Sequence, residues 1–164
     1  MTTNRTWRKR PSLRNPGVLI ATWFGAGYLP KAPGTWGSLA ALPFAWGIFI
    51  TFGWLGLAVA SAAAFMAGLW SAGVYLRESG THDPGPVVID EVAGQWLTLL
   101  VVPADLLLYA AGFVFFRMAD ILKPWPASWA DRKVSGPLGV MLDDVLAAAY
   151  AAATLYGLRV WLGI

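Results

Sequence analysis

Long apolar runs separated by short groups of charged residues make up most of this sequence. Of its 164 residues, 57% are hydrophobic and 13% are charged, whereas a soluble domain has about 25% charged residues. A helix needs about 20 apolar residues to cross a bilayer, so the chain has room for roughly four to six short helices. We therefore predict an all-α fold: a polytopic integral membrane helical bundle with short or re-entrant helices, in which residues 1–164 form a single membrane domain.

The apolar runs predict the order of the segments. Residues 1–32 are expected to form a cytoplasmic or interfacial N-terminal segment, because the apolar run from Gly17 to Tyr28 is too short to cross and is followed by prolines. Residues 33–164 form the helical bundle. Three membrane-spanning helices are predicted, at 33–52, 54–76 and 138–162. In the second of them, four small residues recur every four positions and predict a face buried against a neighbouring helix: Ala60, Ala64, Gly68 and Ala72.

The two apolar runs between these spans carry charges. In residues 87–122 the uncharged stretches Val92–Ala104 and Leu106–Phe116 would be roughly 20 and 17 Å long as helices, against about 30 Å of hydrocarbon. Either the acids lie within the membrane, or the pair forms a re-entrant hairpin. Both arrangements return the chain to the side from which it came. Pro124 and Pro126 then interrupt the helix, and Trp125 and Trp129 suit the headgroup layer.

The basic residues predict an orientation. If the N-terminus is cytoplasmic, only Arg159 of the twelve lysines and arginines falls on the far side, as the positive-inside rule requires. The remaining eleven are Arg5, Arg8, Lys9, Arg10, Arg14, Lys31, Arg77, Arg117, Lys123, Arg132 and Lys133. No nucleic-acid-binding motif accompanies them, so anionic lipid is the expected partner of this charge.

Four carboxylates and four basic side chains lie together in residues 116–144, between strongly apolar flanks. A charge at membrane depth costs about 2.5 to 3.5 kcal/mol on insertion scales, so such a cluster is a functional-site hypothesis. A structural salt bridge between Arg117 and Asp120, one helical turn apart, is the plainer explanation for that pair. Asp131 and Arg132 are also consistent with a solvated loop.

The acids of separate segments can meet at one surface of the bundle. Asp90 and Glu91 can approach Asp143 and Asp144, because small residues one turn further along each helix permit close packing. Carboxylates gathered in a low-dielectric place repel one another unless a cation neutralises them, and an all-oxygen site suits Mg²⁺. We predict these four residues as metal ligands, with Asp120 as a further ligand or base.

Basic and hydroxyl groups near these acids predict a phosphate site. Lys123 and Arg132 could bind phosphate oxygens. The turn at residues 34–38 offers helix N-terminal amides and the hydroxyls of Thr35 and Ser38, although it could equally be a plain helix start. A transporter or ion channel that uses buried carboxylates is the competing function. It would need ionisable groups through the membrane depth, whereas only Asp105 and Arg159 are expected on the far side.

Four segments carry a resemblance to a known family. They are PGTWGSLAA at 33–41, IDEVAG at 89–94, FRMADILKPWP at 116–126 and DRKVSGPLGVMLDD at 131–144. Together they resemble phosphatidylglycerophosphatase A, a bacterial membrane lipid phosphatase. The resemblance implies Mg²⁺-dependent hydrolysis of phosphatidylglycerophosphate to phosphatidylglycerol and phosphate at the inner membrane, with the active site facing the cytoplasm. Pro137 departs from the family pattern, where a second glycine would be expected.

Missing residue types narrow the mechanism. The chain has no cysteine and one histidine, which excludes a cysteinyl-phosphate and a histidine pair, and it has no DxDx[TV] motif. We expect a water or hydroxide activated by Mg²⁺ to attack the phosphorus in line, although an aspartyl-phosphate intermediate stays open. The predicted catalytic residues are Asp120, Lys123, Asp131 and Asp144.

Overall fold

The structure, a computed structural model, describes residues 10–81 and 85–163, and within these ranges it contains helices and no strand. This confirms the all-α prediction. Six α-helices and one short 3₁₀ turn, Ala26–Tyr28, follow in chain order. The helices are α1 Pro16–Ala21, α2 Pro33–Ser79, α3 Ile89–Leu99, α4 Leu106–Leu122, α5 Ala127–Lys133 and α6 Gly136–Leu162. Arg5, Arg8, Lys9 and His82 lie outside the described residues.

Helix α2 is two helices joined at a kink. Gly53 has φ 66° and ψ −166°, which is not helical, and a positive φ of this kind is readily adopted only by glycine. The kink separates residues 33–52 from residues 54–79, so the two predicted adjacent helices are confirmed. Gly34 near the start of α2 approaches the first turn of α3, and Gly73 near its end approaches the first turn of α6. Both ends of α2 therefore lie at the end of the bundle where α3 and α6 begin, and the chain reverses direction at Gly53.

Small residues allow the second half of α2 to pack closely on α3 and α6. A side chain placed on Gly68 would overlap Met141 of α6 and touch Ile89 of α3. Ala64 and Ala72, one turn away on either side, are buried, whereas Ala60 is only partly buried. The predicted small-residue face is therefore an interhelical contact over most of its length.

Helices α3 and α4 form an antiparallel hairpin inside the bundle. Leu99 near the end of α3 contacts Gly112 in the middle of α4, and Phe116 near the end of α4 packs on Gly94. Helix α3 has 11 residues and rises about 16 Å, which is less than the roughly 30 Å of hydrocarbon. Within the part of the chain that the structure describes, two helices are long and apolar enough to cross a membrane, Pro33–Ser79 and Gly136–Leu162. Helix α3 is not one of them, and it pairs with α4 as a hairpin.

The N-terminal segment packs on the same end of the bundle as the charged residues. Gly17 of α1 contacts Val74 near the end of α2, and the backbone N–H of Val88 donates to the carbonyl of Ala21 over 2.8 Å. The side chain of Asn15 also hydrogen-bonds Glu78. Residues 10–32, where the structure describes them, therefore form a cap on the bundle, with helices too short to cross.

Three details differ from the sequence prediction. Residues 127–133 form helix α5, although two prolines had indicated an interruption and Asp131 and Arg132 a possible loop. Helix α6 begins at Gly136 rather than Leu138, because Pro137 fits the first turn of a helix, where its missing N–H costs nothing. Helix α2 extends to Ser79, so the polar connection begins at Gly80.

Gly94 tests this packing. Replacement by Ala would place a methyl group against the ring of Phe116 and the backbone carbonyl of Asp144, and overpacking of this kind costs about 1–3 kcal/mol. We expect Gly94→Ala to lower the thermal denaturation midpoint in detergent. Gly47→Ala is the matched control, because Gly47 is a helical glycine with nothing within 4 Å of such a methyl group. Equal midpoints for the two variants would contradict the close α3–α6 contact.

Candidate active site

Three helices bring their acids to one end of the bundle. Asp90 and Glu91 occupy the first turn of α3, where the helix dipole favours negative charge, and the Asp90 carboxylate accepts a hydrogen bond from the Glu91 N–H over 3.1 Å. Asp120 lies in the last turn of α4, and Asp143 and Asp144 lie two turns into α6. All three helix segments meet because α3 runs antiparallel to α4.

Three of these carboxylates are close enough to share one cation. Asp90, Glu91 and Asp144 each offer an oxygen, and these oxygens lie within 4.8 Å of one another. Oxygen Oε2 of Glu91 and oxygen Oδ2 of Asp144 are buried and have no hydrogen-bond partner. Buried carboxylate oxygens without a donor are costly, so this trio fits a divalent cation with oxygen ligands.

Two glycines make room for the trio. A side chain on Gly94 would approach the backbone carbonyl of Asp144, so the absence of one lets α3 and α6 come together at the acids. A side chain on Gly34, in the first turn of α2, would overlap the carboxylate of Glu91. The first turn of α2 thus contributes bare backbone to the acidic cluster.

Arg117 lies between two of the acids. Its Nη1 is 2.5 Å from Oδ2 of Asp120 and 3.7 Å from Oε1 of Glu91. The predicted salt bridge with Asp120 is therefore present, and it belongs to the acidic cluster rather than to a separate structural contact. Arg117 neutralises part of the negative charge of the cluster. Asp120 also lies near enough to Asp144 for their charges to interact.

Lys123 joins α5 to α6. Its Nζ donates to Asp131 over 2.6 Å and to Asp143 over 2.5 Å. Burial by itself would lower the pKa of Lys123, but the two carboxylates outweigh burial and raise its pKa above the usual value. The ammonium group therefore stays charged, and since it has three N–H donors, one is left for a ligand. Asp143, predicted as a metal ligand, lies outside the trio and holds Lys123 instead.

A cavity of about 490 Å³ opens beside these groups. Its volume falls within the usual range of about 300–1,000 Å³ for a small-molecule site. Asp90 and Glu91 line it on one side. The remaining charged residues that line it are Lys123, Asp131, Arg132, Lys133 and Asp143. Acids that can hold a cation thus face basic groups that can hold an anion.

The two hydroxyl groups predicted to bind phosphate do not line the cavity. Ser38 is fully buried and donates its hydroxyl to the carbonyl of Gly34 over 2.9 Å, within its own helix. Neither Thr35 nor Ser38 lines the cavity. The structure therefore brings Asp90, Glu91, Lys123, Asp131, Arg132 and Asp143 to the cavity. Asp144 joins Asp90 and Glu91 in the trio, and Asp120 pairs with Arg117.

Sequence reasoning missed two features of the site. Arg117 was assigned a salt bridge with Asp120, yet it also contacts Glu91. Lys133 and Ser135 line the cavity but were not predicted as site residues. Both residues follow Asp131 and Arg132 in one of the four segments that resemble the family, which was a hint that they belong to the site. Only the fold of helix α5 shows that this segment lies over the acids.

Comparison with known proteins decides which family carries this site. A family model described as phosphatidylglycerophosphatase A matches residues 19–159, which include every charged residue of this site. The chain belongs to the phosphatidylglycerophosphatase A family. It is accordingly an enzyme, a phosphoric monoester hydrolase, and the resemblance seen in its four sequence segments is confirmed.

Three relatives match this chain over most of its length and most of their own. The phosphatidylglycerophosphatase A of Escherichia coli K12 is 40% identical over 150 residues, which cover 91% of this chain and 87% of that protein. The phosphatidylglycerophosphatase A of Haemophilus influenzae is 36% identical, over 94% and 95% of the two chains. A Bacteroides thetaiotaomicron relative, provisionally named a phosphatidylinositol-3-phosphatase, is 39% identical over 87% and 92%. No solved structure matches the chain.

Proposed function

We propose that this enzyme hydrolyses the terminal phosphate of phosphatidylglycerophosphate, and that it needs a divalent cation, Mg²⁺, to do so. The observation that carries the proposal is the meeting of Asp90, Glu91 and Asp144 beside a cavity lined by basic residues. The substrate follows from the names of the two relatives that cover almost the whole chain.

The charge balance of the cluster favours a cation. Arg117 and Lys123 face five carboxylates of three helices, and each base is held within 2.5 Å of one of them. The trio is left without a protein cation of its own, apart from the longer Arg117–Glu91 contact. Mg²⁺ is commonly bound by one or two carboxylates together with substrate phosphate, which this arrangement would permit.

The chain's own residues define the work on the substrate. Lys123, with one free N–H, and Arg132 at the cavity wall would bind phosphate oxygens and stabilise the charge of the transition state. Asp131 and Asp143 hold the Lys123 ammonium in place. Asp120, which has one oxygen on Arg117, is our candidate for accepting the proton of the attacking water.

A cation in the trio would polarise the phosphate and assist deprotonation of the nucleophile. Attack by water and attack by a carboxylate, with an aspartyl-phosphate intermediate, are both compatible with this placement. The order of the steps depends on which group faces the phosphorus, and the carboxylates that line the cavity are Asp90, Glu91, Asp131 and Asp143.

We further propose a multi-pass topology at the bacterial inner membrane, with the cavity at the cytoplasmic surface. The two apolar helices supply the spans. Lys123, Arg132 and Lys133 lie at the cavity end of the bundle, whereas Arg159, which donates to the carbonyl of Val101 over 2.9 Å, lies at the other. This distribution agrees with the positive-inside rule. It also disfavours a transporter, for which charges should continue through the bundle.

Phosphate release by the purified protein tests the proposal. We expect the protein to turn over phosphatidylglycerophosphate in detergent micelles with Mg²⁺. Chelation should remove about 95% of this turnover or more, as expected for an essential metal, and added Mg²⁺ should restore it. Phosphatidic acid and phosphatidylinositol 3-phosphate are the comparison substrates. Undiminished turnover after exhaustive chelation would rule out the metal, and a preference for either comparison substrate would rule out the assigned lipid.

Asp144→Asn removes one negative oxygen from the trio at almost constant volume. We expect phosphate release to fall by about 10²-fold or more, because a metal ligand is lost, while the protein still inserts and elutes as the wild type does in size-exclusion chromatography. The matched control is Asp105→Asn. Asp105 caps α4 at the opposite end by accepting from Leu108 N–H over 2.9 Å, and asparagine caps equally well. A normal rate for Asp144→Asn would overturn the metal assignment.

A further inference from the structure

Four exposed apolar side chains flank the cavity-lining residue Lys123 along the chain and lie outside both candidate spans. They are Ile121, Leu122, Trp125 and Trp129, which we call the apolar lip. Leu122 is 72% exposed and Trp125 is 74% exposed. Exposed apolar residues on α2 and α6 are accounted for by lipid tails along a membrane-spanning helix, but the lip belongs to a segment at the charged end of the bundle.

The backbone of the lip is fixed although its side chains are exposed. Helix α4 ends at Leu122, and Lys123 adopts a left-handed conformation with φ 43°. The hydroxyl of Tyr150 on α6 donates to the carbonyl of Trp125 over 2.5 Å. Within the same segment Lys123 is tied to Asp143 of α6. The segment is therefore held at two points, so its exposed side chains present a defined surface.

The chemistry of the lip complements that of the cavity. Lys123 lies between Leu122 and Trp125 in sequence and lines the cavity, and Asp131 and Arg132 follow Trp129 by one turn or less. One wall of the cavity thus carries cationic groups inside and apolar groups outside. A ligand with an anionic phosphate head and apolar tails matches both, whereas free phosphate or a soluble phosphate ester matches only the cationic part. Tryptophan also favours the boundary between headgroups and acyl chains.

We propose that the apolar lip binds the acyl chains of the phospholipid whose headgroup enters the cavity, and so selects membrane lipids over soluble phosphate esters. This inference rests on the proposed lipid phosphatase activity. It assigns substrate binding to residues 121–129, separate from the groups that act on phosphate. Loss of the lip should therefore weaken the interaction with lipid without changing the reaction at the phosphorus.

A double variant, Trp125→Ala with Trp129→Ala, tests the proposal in mixed micelles. We expect the KM for phosphatidylglycerophosphate, expressed as its mole fraction, to rise about tenfold, since that corresponds to the loss of one well-buried apolar contact. The kcat should remain within about twofold, as should turnover of the acyl-free headgroup, glycerophosphoglycerophosphate. Trp161→Ala is the matched control, because Trp161 is 81% exposed at the opposite end of α6.

The outcomes separate the possibilities. An unchanged KM for the lipid, an equal loss on the acyl-free substrate, or an equal effect of Trp161→Ala would each overturn the assignment of the lip.

A second measurement does not depend on catalysis. The chain has no cysteine, so in the variant Trp125→Cys a thiol-reactive fluorophore labels position 125 alone. In phosphatidylglycerol vesicles its fluorescence then reports the surroundings of that position.

Quenching by lipids brominated in their acyl chains is expected at position 125 and not at Ser135→Cys, an exposed cavity residue. Equal quenching at the two positions, or none at position 125, would overturn the proposal. If the wild type hydrolyses neither phosphatidylglycerophosphate nor its headgroup, the proposed function fails, and the quenching still decides whether the lip contacts acyl chains.

Discussion

Repulsion between closely spaced carboxylates is the constraint on which this structure depends. Asp90, Glu91 and Asp144 have oxygens within 4.8 Å of one another, and like charges at such distances are unfavourable in a low-dielectric environment. The protein compensates part of the surrounding charge with Arg117 and Lys123. Among the described residues the trio itself has only the longer Arg117–Glu91 contact, at 3.7 Å, to offset its charge, and we propose that this imbalance gives the site an affinity for a cation and, through it, for phosphate.

The fold brings these charges together by means of residues that have almost no side chain. Gly94 admits the backbone of Asp144, Gly34 admits the carboxylate of Glu91, and Gly68 admits Met141. Close approach of helices at small residues is typical of membrane proteins, where packing rather than the hydrophobic effect drives association. The same contacts that hold the bundle together thus set the spacing of the acids.

Much of this arrangement could be predicted from local patterns, and the remainder required long-range contacts. The two halves of α2 and the α3–α4 hairpin followed from run lengths and from the charges at 90, 91, 117 and 120. Helix α5 did not, because Pro124 and Pro126 indicate an interruption and only contacts such as Lys123 with Asp131 and Asp143 favour a folded segment there. Nor could the sequence show that Asp143 pairs with Lys123 while its neighbour Asp144 joins the trio, since that depends on helix rotation.

Crystallography of the protein with Mn²⁺ in place of Mg²⁺ tests the central claim most directly. Anomalous scattering locates Mn²⁺ without assumptions about its ligands. The arrangement described above predicts a peak enclosed by the carboxylates of Asp90, Glu91 and Asp144, and loss of that peak in Asp144→Asn. A peak bound only by other residues, or a wild-type structure in which α3 and α6 hold these acids apart, would contradict it.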